Sequence, residues 1–208
     1  MRRMRHPIDV PAWSRREHFQ FFKAFTEPFW GLTVELRCDR SWEASRAPGA
    51  SFYLRYLHAA LSAANAVEAF CLRFSGDTVW RYDRVDVSAT VDRIDGTFGF
   101  SYVPFDPDFT RFADAARAEW ARVRATTGLA LAQRDAAVVH ASALPWVSFT
   151  SLSHARNLAT DDASPKLAFG RVVERDGARW LPIAIHVHHG LVDGIDVGRF
   201  VERLEATL

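Results

Sequence analysis

Helical and strand patterns follow one another along this 208-residue chain without the regular alternation of a parallel α/β protein. Amphipathic stripes predict helices, and short runs that alternate between apolar and polar residues predict strands. The predicted helices cover 13–25, 51–65, 108–126 and the tail from 195, and the predicted strands cover 32–38, 70–74, 78–82, 85–91, 138–142, 146–151, 167–173 and 180–188. The Asp176-Gly177 pair predicts a hairpin between the last two strands. We therefore expect an α+β fold, a two-layer sandwich of helices on a mixed β-sheet, in a single domain over 1–208.

Charge and composition exclude several classes of protein. The net charge is +1, with both signs mixed along the chain, so nothing favours binding to nucleic acid or to an anionic membrane. No apolar run approaches the ~20 residues of a membrane helix, and no apolar segment follows the first arginines as in a secretory signal. Cys38 and Cys71 lie in strand-like runs and are predicted to be reduced core thiols. A cytoplasmic enzyme or binding protein is the expectation.

The segment 181–194 carries the strongest chemical signal. An apolar run from Leu181 predicts a buried strand, and two histidines, an aspartate and a glycine follow it as His-His-x-x-x-Asp-Gly. His189 is a candidate general base, because an imidazole titrates near neutrality, and Asp193 could hold the ring or fix the backbone. A packed core histidine with an aspartate turn is the plain alternative. A metal site is disfavoured, because His186 and His189 point to opposite faces of a regular strand and no Cys or Glu cluster joins them.

Two further runs could support chemistry. Residues 143–152 place Ser148 and Ser151 among aromatic residues, and a serine hydroxyl can stabilise an oxyanion if the reaction is acyl transfer. A structural strand is the alternative, and the lack of a Gly-x-Ser-x-Gly elbow disfavours a serine-nucleophile hydrolase. Residues 13–19 (WSRREHF) either form a solvated helix start or supply an arginine that pairs with a buried carboxylate such as Asp193.

Taken together and in this order, these runs resemble the chloramphenicol acetyltransferase family. The resemblance covers WSRREHF at 13–19, Phe-Tyr at 52–53, PWVSFTS at 145–151 and the segment from Leu181 to Phe200. The histidine signature alone is shared with condensation domains of peptide synthetases and, in altered form, with dihydrolipoyl acyltransferases. The middle run and the chain length favour the acetyltransferase.

The resemblance implies a fold, a reaction and roles. The family transfers acetyl from acetyl-CoA, its co-substrate, to an antibiotic hydroxyl without an acyl-enzyme. His189 would be the base, Ser151 would stabilise the oxyanion, and Asp193 would pair with Arg15 to organise the site. The family is a homotrimer whose active sites lie between subunits, with the serine supplied by the neighbour. Chloramphenicol or a similar small alcohol is the implied acceptor.

Several positions depart from the family pattern and concern the acceptor. Phe21 and Phe22 begin the implied acceptor pocket, which continues to Trp30, and the family often has tyrosine at the second of these positions and cysteine where this chain has Pro28. Ala168 stands where the family has a threonine near the oxyanion site. Other departures lie around 91–92 and at 153–157. The alternatives are a related acyltransferase with another donor or with a thiol or amine acceptor, and a non-catalytic trimeric binding protein on the same scaffold.

Overall fold

The computed structural model describes residues 4–130, 137–157 and 160–208. Within these ranges the chain forms five α-helices and ten β-strands, with two short 3₁₀ helices at Val10–Ala12 and Glu68–Cys71. The helices are α1 (Arg16–Lys23), α2 (Asp39–Ala44), α3 (Phe52–Asn65), α4 (Phe109–Arg124) and α5 (Gly194–Glu205). The strands are β1 (Arg5–Pro7), β2 (Phe29–Arg37), β3 (Leu72–Ser75), β4 (Thr78–Tyr82), β5 (Asp86–Asp92), β6 (Phe98–Phe100), β7 (Val138–Ala143), β8 (Lys166–Phe169), β9 (Val173–Arg175) and β10 (Ala178–His188).

The main sheet has seven strands and mixes parallel with antiparallel pairs. Its order is β2-β10-β8-β7-β5-β6, with β9 paired to β10. The β5–β7 and β7–β8 pairs are parallel, and the other pairs are antiparallel. Strands β1, β4 and β3 form a separate three-stranded antiparallel sheet. The α+β prediction with a mixed sheet is confirmed.

The long strand β10 divides its side chains between two environments. Successive strand residues point to opposite faces, and alternate residues of β10 join the hydrophobic core. These core residues are Leu181, Ile183, Ile185 and Val187. His186 and His188 therefore lie on the other face, and the chain reaches His189 directly after the strand ends. The histidine segment therefore lies at the end of a strand that is packed in the core.

Helices α3 and α5 cover the core face of the sheet and stabilise the C-terminal segment. Ser51 caps α3 by accepting a hydrogen bond from the Leu54 N–H. The Phe70 and Phe200 rings stack with centroids 4.6 Å apart and planes 12° apart, next to the fully buried Leu204. Full burial of side chains of this size stabilises a fold by about 2–3 kcal/mol each. Helix α5, which follows the histidine segment, is therefore held in place by its own packing.

The predicted strand over 146–151 is wrong. The chain turns at 145–146, where the Val147 N–H donates to Leu144 O at 3.1 Å, and the rest of the run has no regular structure. Pro145 lacks an N–H group for a ladder, and Trp146 is 74% exposed. The alternation of hydroxyl and aromatic residues therefore gave a wrong prediction. Among the described residues this run pairs with no strand, although the Arg171 N–H donates to Val147 O at 2.8 Å.

Other element boundaries also differ from the predictions. The predicted strand 167–173 divides into β8 and β9 around Gly170, where a Cβ would lie 2.7 Å from Pro182 Cγ. The first helix begins at Arg16 rather than at 13, and α2 and β1 were not predicted. The hairpin at Asp176-Gly177 is confirmed, with φ of +53° and +72°, values typical of a type I′ turn.

Both cysteines are buried free thiols, as predicted. Burial raises the pKa of Cys38 to about 12 and that of Cys71 to about 11. Neither thiol ionises near neutral pH, so both behave as core side chains. Of the helices that the structure describes, none combines the length and the apolar character needed to cross a membrane.

Candidate active site

The turn after β10 is fixed by a short set of hydrogen bonds. The Leu191 and Val192 N–H groups both donate to His188 O at 3.0 Å, and the Gly190 N–H donates to His188 Nδ1 at 3.1 Å. Because Nδ1 accepts this bond, it carries no proton. Burial lowers the pKa of His188 to about 4, so the ring is neutral at physiological pH. His188 is thus a structural residue of the turn.

His189 follows with a ring held between aromatic side chains. Its centroid lies 4.0 Å from that of Phe22, with the planes 17° apart, and 5.4 Å from that of Trp30. Its backbone N–H donates to Pro28 O at 2.9 Å, and Trp30 Nε1 donates to Val192 O at 3.1 Å. Strand β2 and helix α1 therefore fix both the backbone and the ring plane of His189.

The two ring nitrogens of His189 differ in access. Nδ1 is buried and has no hydrogen-bond partner among the described residues. Nε2 is not among the buried, unpartnered atoms, and no described side chain or backbone group bonds to it. Nε2 is therefore the nitrogen that an incoming molecule can reach. An imidazole with one reachable nitrogen is placed to exchange a proton with a bound molecule.

Arg15 connects the turn to the start of α1. Its Nη1 makes an ion pair with Asp193 Oδ2, and its Nη2 donates to His189 O at 3.3 Å. The two side chains are 20% and 31% exposed. Burial would raise the pKa of Asp193, but the hydrogen bond and the charge of Arg15 outweigh it and hold that pKa below its ordinary value. The expected pairing of Arg15 with Asp193 is present in the structure.

Asp193 has a second structural role at the start of α5. Its Oδ1 accepts the Ile195 N–H at 3.3 Å, and the Asp193 N–H donates to Asp196 Oδ2 at 3.3 Å, which completes a capping box. No described hydrogen bond joins its carboxylate to the His189 ring. The carboxylate therefore fixes the backbone rather than the imidazole.

An aromatic cluster at the C-terminal end of α1 extends from the His189 ring to the surface. The Phe21, Phe22 and Phe25 rings lie within 4.9–5.3 Å of one another, centroid to centroid. Phe21 is 61% exposed and Phe25 is 44% exposed. Of the three predicted pocket residues, Phe22 and Trp30 contact the ring, whereas Phe21 contacts Phe22. Phe25 was not among the predicted pocket residues, although its spacing of three and four residues from the other two was a usable signal.

Ser151 is exposed on a segment without regular secondary structure. It belongs to the irregular segment 144–157, and the described residues include no hydrogen bond or ring contact between it and His189. Val147 in the same segment is 50% exposed and Trp146 is more so. This segment thus presents a hydroxyl and large apolar side chains to its surroundings.

Other positions singled out from the sequence are buried or partly buried. Ala168 is fully buried in β8, between Ser142 on β7 and Ala184 on β10. The His154 and His186 rings make an edge-to-face contact at 5.1 Å, and burial lowers the pKa of both. Among the residues that the structure describes, no group of three or more His, Cys, Asp or Glu could hold a metal ion.

Comparison with known proteins identifies the family. The family model described as chloramphenicol acetyltransferase matches residues 4–205. The chain is 32% identical to the chloramphenicol acetyltransferase of Streptomyces acrimycini, across 97% of this chain and 93% of the relative. It is 27% identical to chloramphenicol acetyltransferase 3 of Escherichia coli, across 95% of this chain and 94% of the relative.

Solved structures agree with the sequence comparisons. A solved structure named chloramphenicol acetyltransferase superposes with a TM-score of 0.91 at 30% identity, and the match covers 99% of this chain and all of the other. The match therefore includes the whole fold and not the histidine segment alone. This chain belongs to the chloramphenicol acetyltransferase family and is an acyltransferase.

Proposed function

We propose that this enzyme transfers acetyl from acetyl-CoA to a hydroxyl group of a small alcohol, with chloramphenicol as the first acceptor to test. The observation that carries the proposal is the state of His189. Its ring is held by Phe22 and Trp30, and its Nε2 is reachable. The nearby Asp193 carboxylate is in an ion pair with Arg15. The site therefore has one free base and no second free carboxylate beside it among these residues.

In the proposed reaction His189 acts first as a base and then as an acid. Nε2 takes the proton of the acceptor hydroxyl, and the oxygen attacks the thioester carbonyl carbon of acetyl-CoA. The tetrahedral intermediate collapses as the C–S bond breaks, and the departing thiolate takes the proton from the imidazolium. The products are an acetyl ester and free coenzyme A, with His189 restored. No acyl-enzyme is formed.

We infer that Ser151 of a neighbouring subunit supplies the donor for the oxyanion. Ser151 is exposed and has no described contact with His189 in its own chain, so a second copy would have to bring the two together. The exposed apolar residues Phe21, Trp146 and Val147 provide surfaces that such an association would bury. We propose a homotrimer with active sites between subunits, as the family resemblance implies.

The aromatic cluster suggests the kind of acceptor. Phe21, Phe22, Phe25 and Trp30 offer ring faces and edges next to the base. Such a wall favours an apolar or aromatic body, and the hydroxyl would be presented to His189. Chloramphenicol has such a body, and other aryl or alkyl alcohols of similar size are the next candidates.

A thiol-release assay tests the proposal directly. Acetyl-CoA is mixed with chloramphenicol or another alcohol, and free coenzyme A is detected with a thiol reagent. Cys38 and Cys71 are 0% and 4% exposed, so the enzyme's own thiols contribute little background to the assay.

The free, buried state of the two cysteines also suits a reducing compartment, and we infer a cytoplasmic location.

The His189→Ala variant should lose at least about 10²-fold in kcat/KM, the usual contribution of a positioned base. The matched control is His18→Ala. His18 is exposed on α1, so this substitution removes one imidazole that is not part of the site. Full acetyl transfer by His189→Ala would refute the base assignment. If no alcohol tested accepts acetyl, another acceptor class or a binding protein would be favoured instead. A ligand-dependent rise in melting temperature without turnover would identify a binding protein.

Complementation tests the shared site. His189→Ala and Ser151→Ala chains are mixed in equal amounts, unfolded and refolded together. If each site takes its histidine from one subunit and its serine from the next, random trimers regain about a quarter of the native activity. If both residues came from one chain, the mixture would stay as inactive as its parents. Sedimentation of the native enzyme gives the subunit number independently.

A further inference from the structure

A cavity lies next to the segment that precedes α1. It has a volume of about 430 Å³ and is lined by the loop before α1, the segment after α3, and α5. Neither His189, Phe22 nor Trp30 lines it, so it is separate from the proposed acceptor wall. Its volume is within the range of about 300–1,000 Å³ that is usual for small-molecule sites.

More arginines than carboxylate residues line the cavity. Arg15, Arg199 and Arg203 line it, together with the carboxylates of Glu68 and Asp196. Arg15 is already committed to its ion pair at the start of α5. The other two guanidinium groups are therefore the ones that could bind something else.

The two arginines on α5 are weakly held or unpaired. Arg199 Nη1 lies 3.6 Å from Asp196 Oδ1, and the Arg199 side chain is 60% exposed. Arg203 makes no ion pair with any described residue. The two are four residues apart, so they lie on one helix face and repel each other. Glu68 is shared with another arginine outside the cavity lining, since its Oε2 lies 4.0 Å from Arg81 Nη1.

We propose that this cavity binds a small organic oxyanion, a phosphate or carboxylate group on a compact body, with Arg199 and Arg203 as its ligands. A guanidinium offers paired N–H donors that match both anions, and an anion between the two arginines would relieve their repulsion. Trp13 and Ser14 line the same cavity and are candidates to contact the ligand as well. The proposal goes beyond acetyl transfer and does not depend on it.

Calorimetric titration of the native enzyme with three aryl probes tests the site. Phenyl phosphate and benzoate carry the two anionic groups on the same ring, and benzamide is the neutral match. We expect saturable binding of at least one anion, at least about tenfold tighter than benzamide, and weaker binding as salt is added. The tighter of the two anions identifies the head group. Anion binding no tighter than that of benzamide would overturn the proposal without any variant.

Two variants then assign the site. Arg199→Gln and Arg203→Gln should each weaken binding of the preferred anion by about tenfold, the effect of losing one charge-assisted contact. Arg46→Gln is the control, because Arg46 is exposed and does not line the cavity. Circular dichroism checks that each variant folds. Unchanged affinity in a folded Arg199→Gln, Arg203→Gln double variant would overturn the assignment, whatever the outcome of the acetyl-transfer assays.

Discussion

The ion pair between Arg15 and Asp193 allows a quantitative test, because Asp193 has two structural roles that two substitutions separate. Asp193→Asn removes the charge but keeps a good N-cap for α5, since asparagine caps helices about as well as aspartate. Asp193→Ala removes both the charge and the cap. The difference between the two variants therefore isolates the cap, and the loss in Asp193→Asn isolates the ion pair.

The burial of the pair sets the expected magnitude. Exposed ion pairs contribute about 0–1 kcal/mol, and breaking a fully buried pair costs about 3–5 kcal/mol. With exposures of 20% and 31%, this pair lies between these limits. We expect Asp193→Asn to lower the free energy of unfolding by about 1–3 kcal/mol, and Asp193→Ala by about 1 kcal/mol more.

The measurement is urea unfolding at one fixed protein concentration, because association would make stability depend on concentration. Asp92→Asn is the control: Asp92 and its partner Arg124 are 80% and 52% exposed, so its effect should stay below about 1 kcal/mol. Acetyl transfer should fall about 10- to 100-fold in both Asp193 variants, because Arg15 also holds the His189 carbonyl. The reasoning fails if Asp193→Asn is no more destabilising than the control, or if asparagine and alanine are equivalent.

Two further predictions concern packing and acid stability. Gly31→Ala should destabilise the fold by about 1–3 kcal/mol, because a Cβ there would lie 2.5 Å from both the His186 ring and Ile185 O. Gly198→Ala should stabilise the fold by about 0.5–1 kcal/mol, because a Cβ at this position on α5 would lie in open space. Thermal unfolding should show shifts of opposite sign for the two variants, and two shifts of the same sign would contradict the packing argument. Burial holds the pKa of three histidines at about 4, below the ordinary 6.5, so the unfolded chain takes up protons that the folded chain does not. These are His140, His154 and His188. Their contribution to stability should be complete above pH 6.5 and decline as the pH falls toward 4, and a His154→Gln variant should show a shallower decline; an equally steep one would exclude His154 from the effect.

The amino-acid pattern predicted those parts of the fold that depend on local periodicity. The apolar alternation of β10, the caps at Ser51 and Asp108 and the hairpin at Asp176-Gly177 all lie where the sequence placed their elements. Each of these is decided by neighbours within a few residues. The pattern could not show the small sheet of β1, β4 and β3, because Arg5–Pro7 pairs with residues more than seventy positions away.

The prediction failed where residues face outward. The run 146–151 has the composition of a strand, yet most of its residues are exposed and the chain turns where the run begins. A composition that suits a buried strand also suits a surface that meets another molecule, and sequence alone does not separate the two. In the site, the motif placed His189 and the Arg15–Asp193 pair, but the stacking of Phe22 on the ring depends on how α1 packs and required coordinates.

The capping box at α5 has a consequence for the evolution of new acceptors. The residues that fasten the turn, Arg15 and Asp193, are not those that form the outer aromatic wall, Phe21 and Phe25. Mutations in that wall can therefore accumulate without loosening the turn. A library randomised at positions 21 and 25 should keep most of its members folded. Because this edge of the molecule is the proposed acceptor wall, such a library also tests whether these residues set substrate preference.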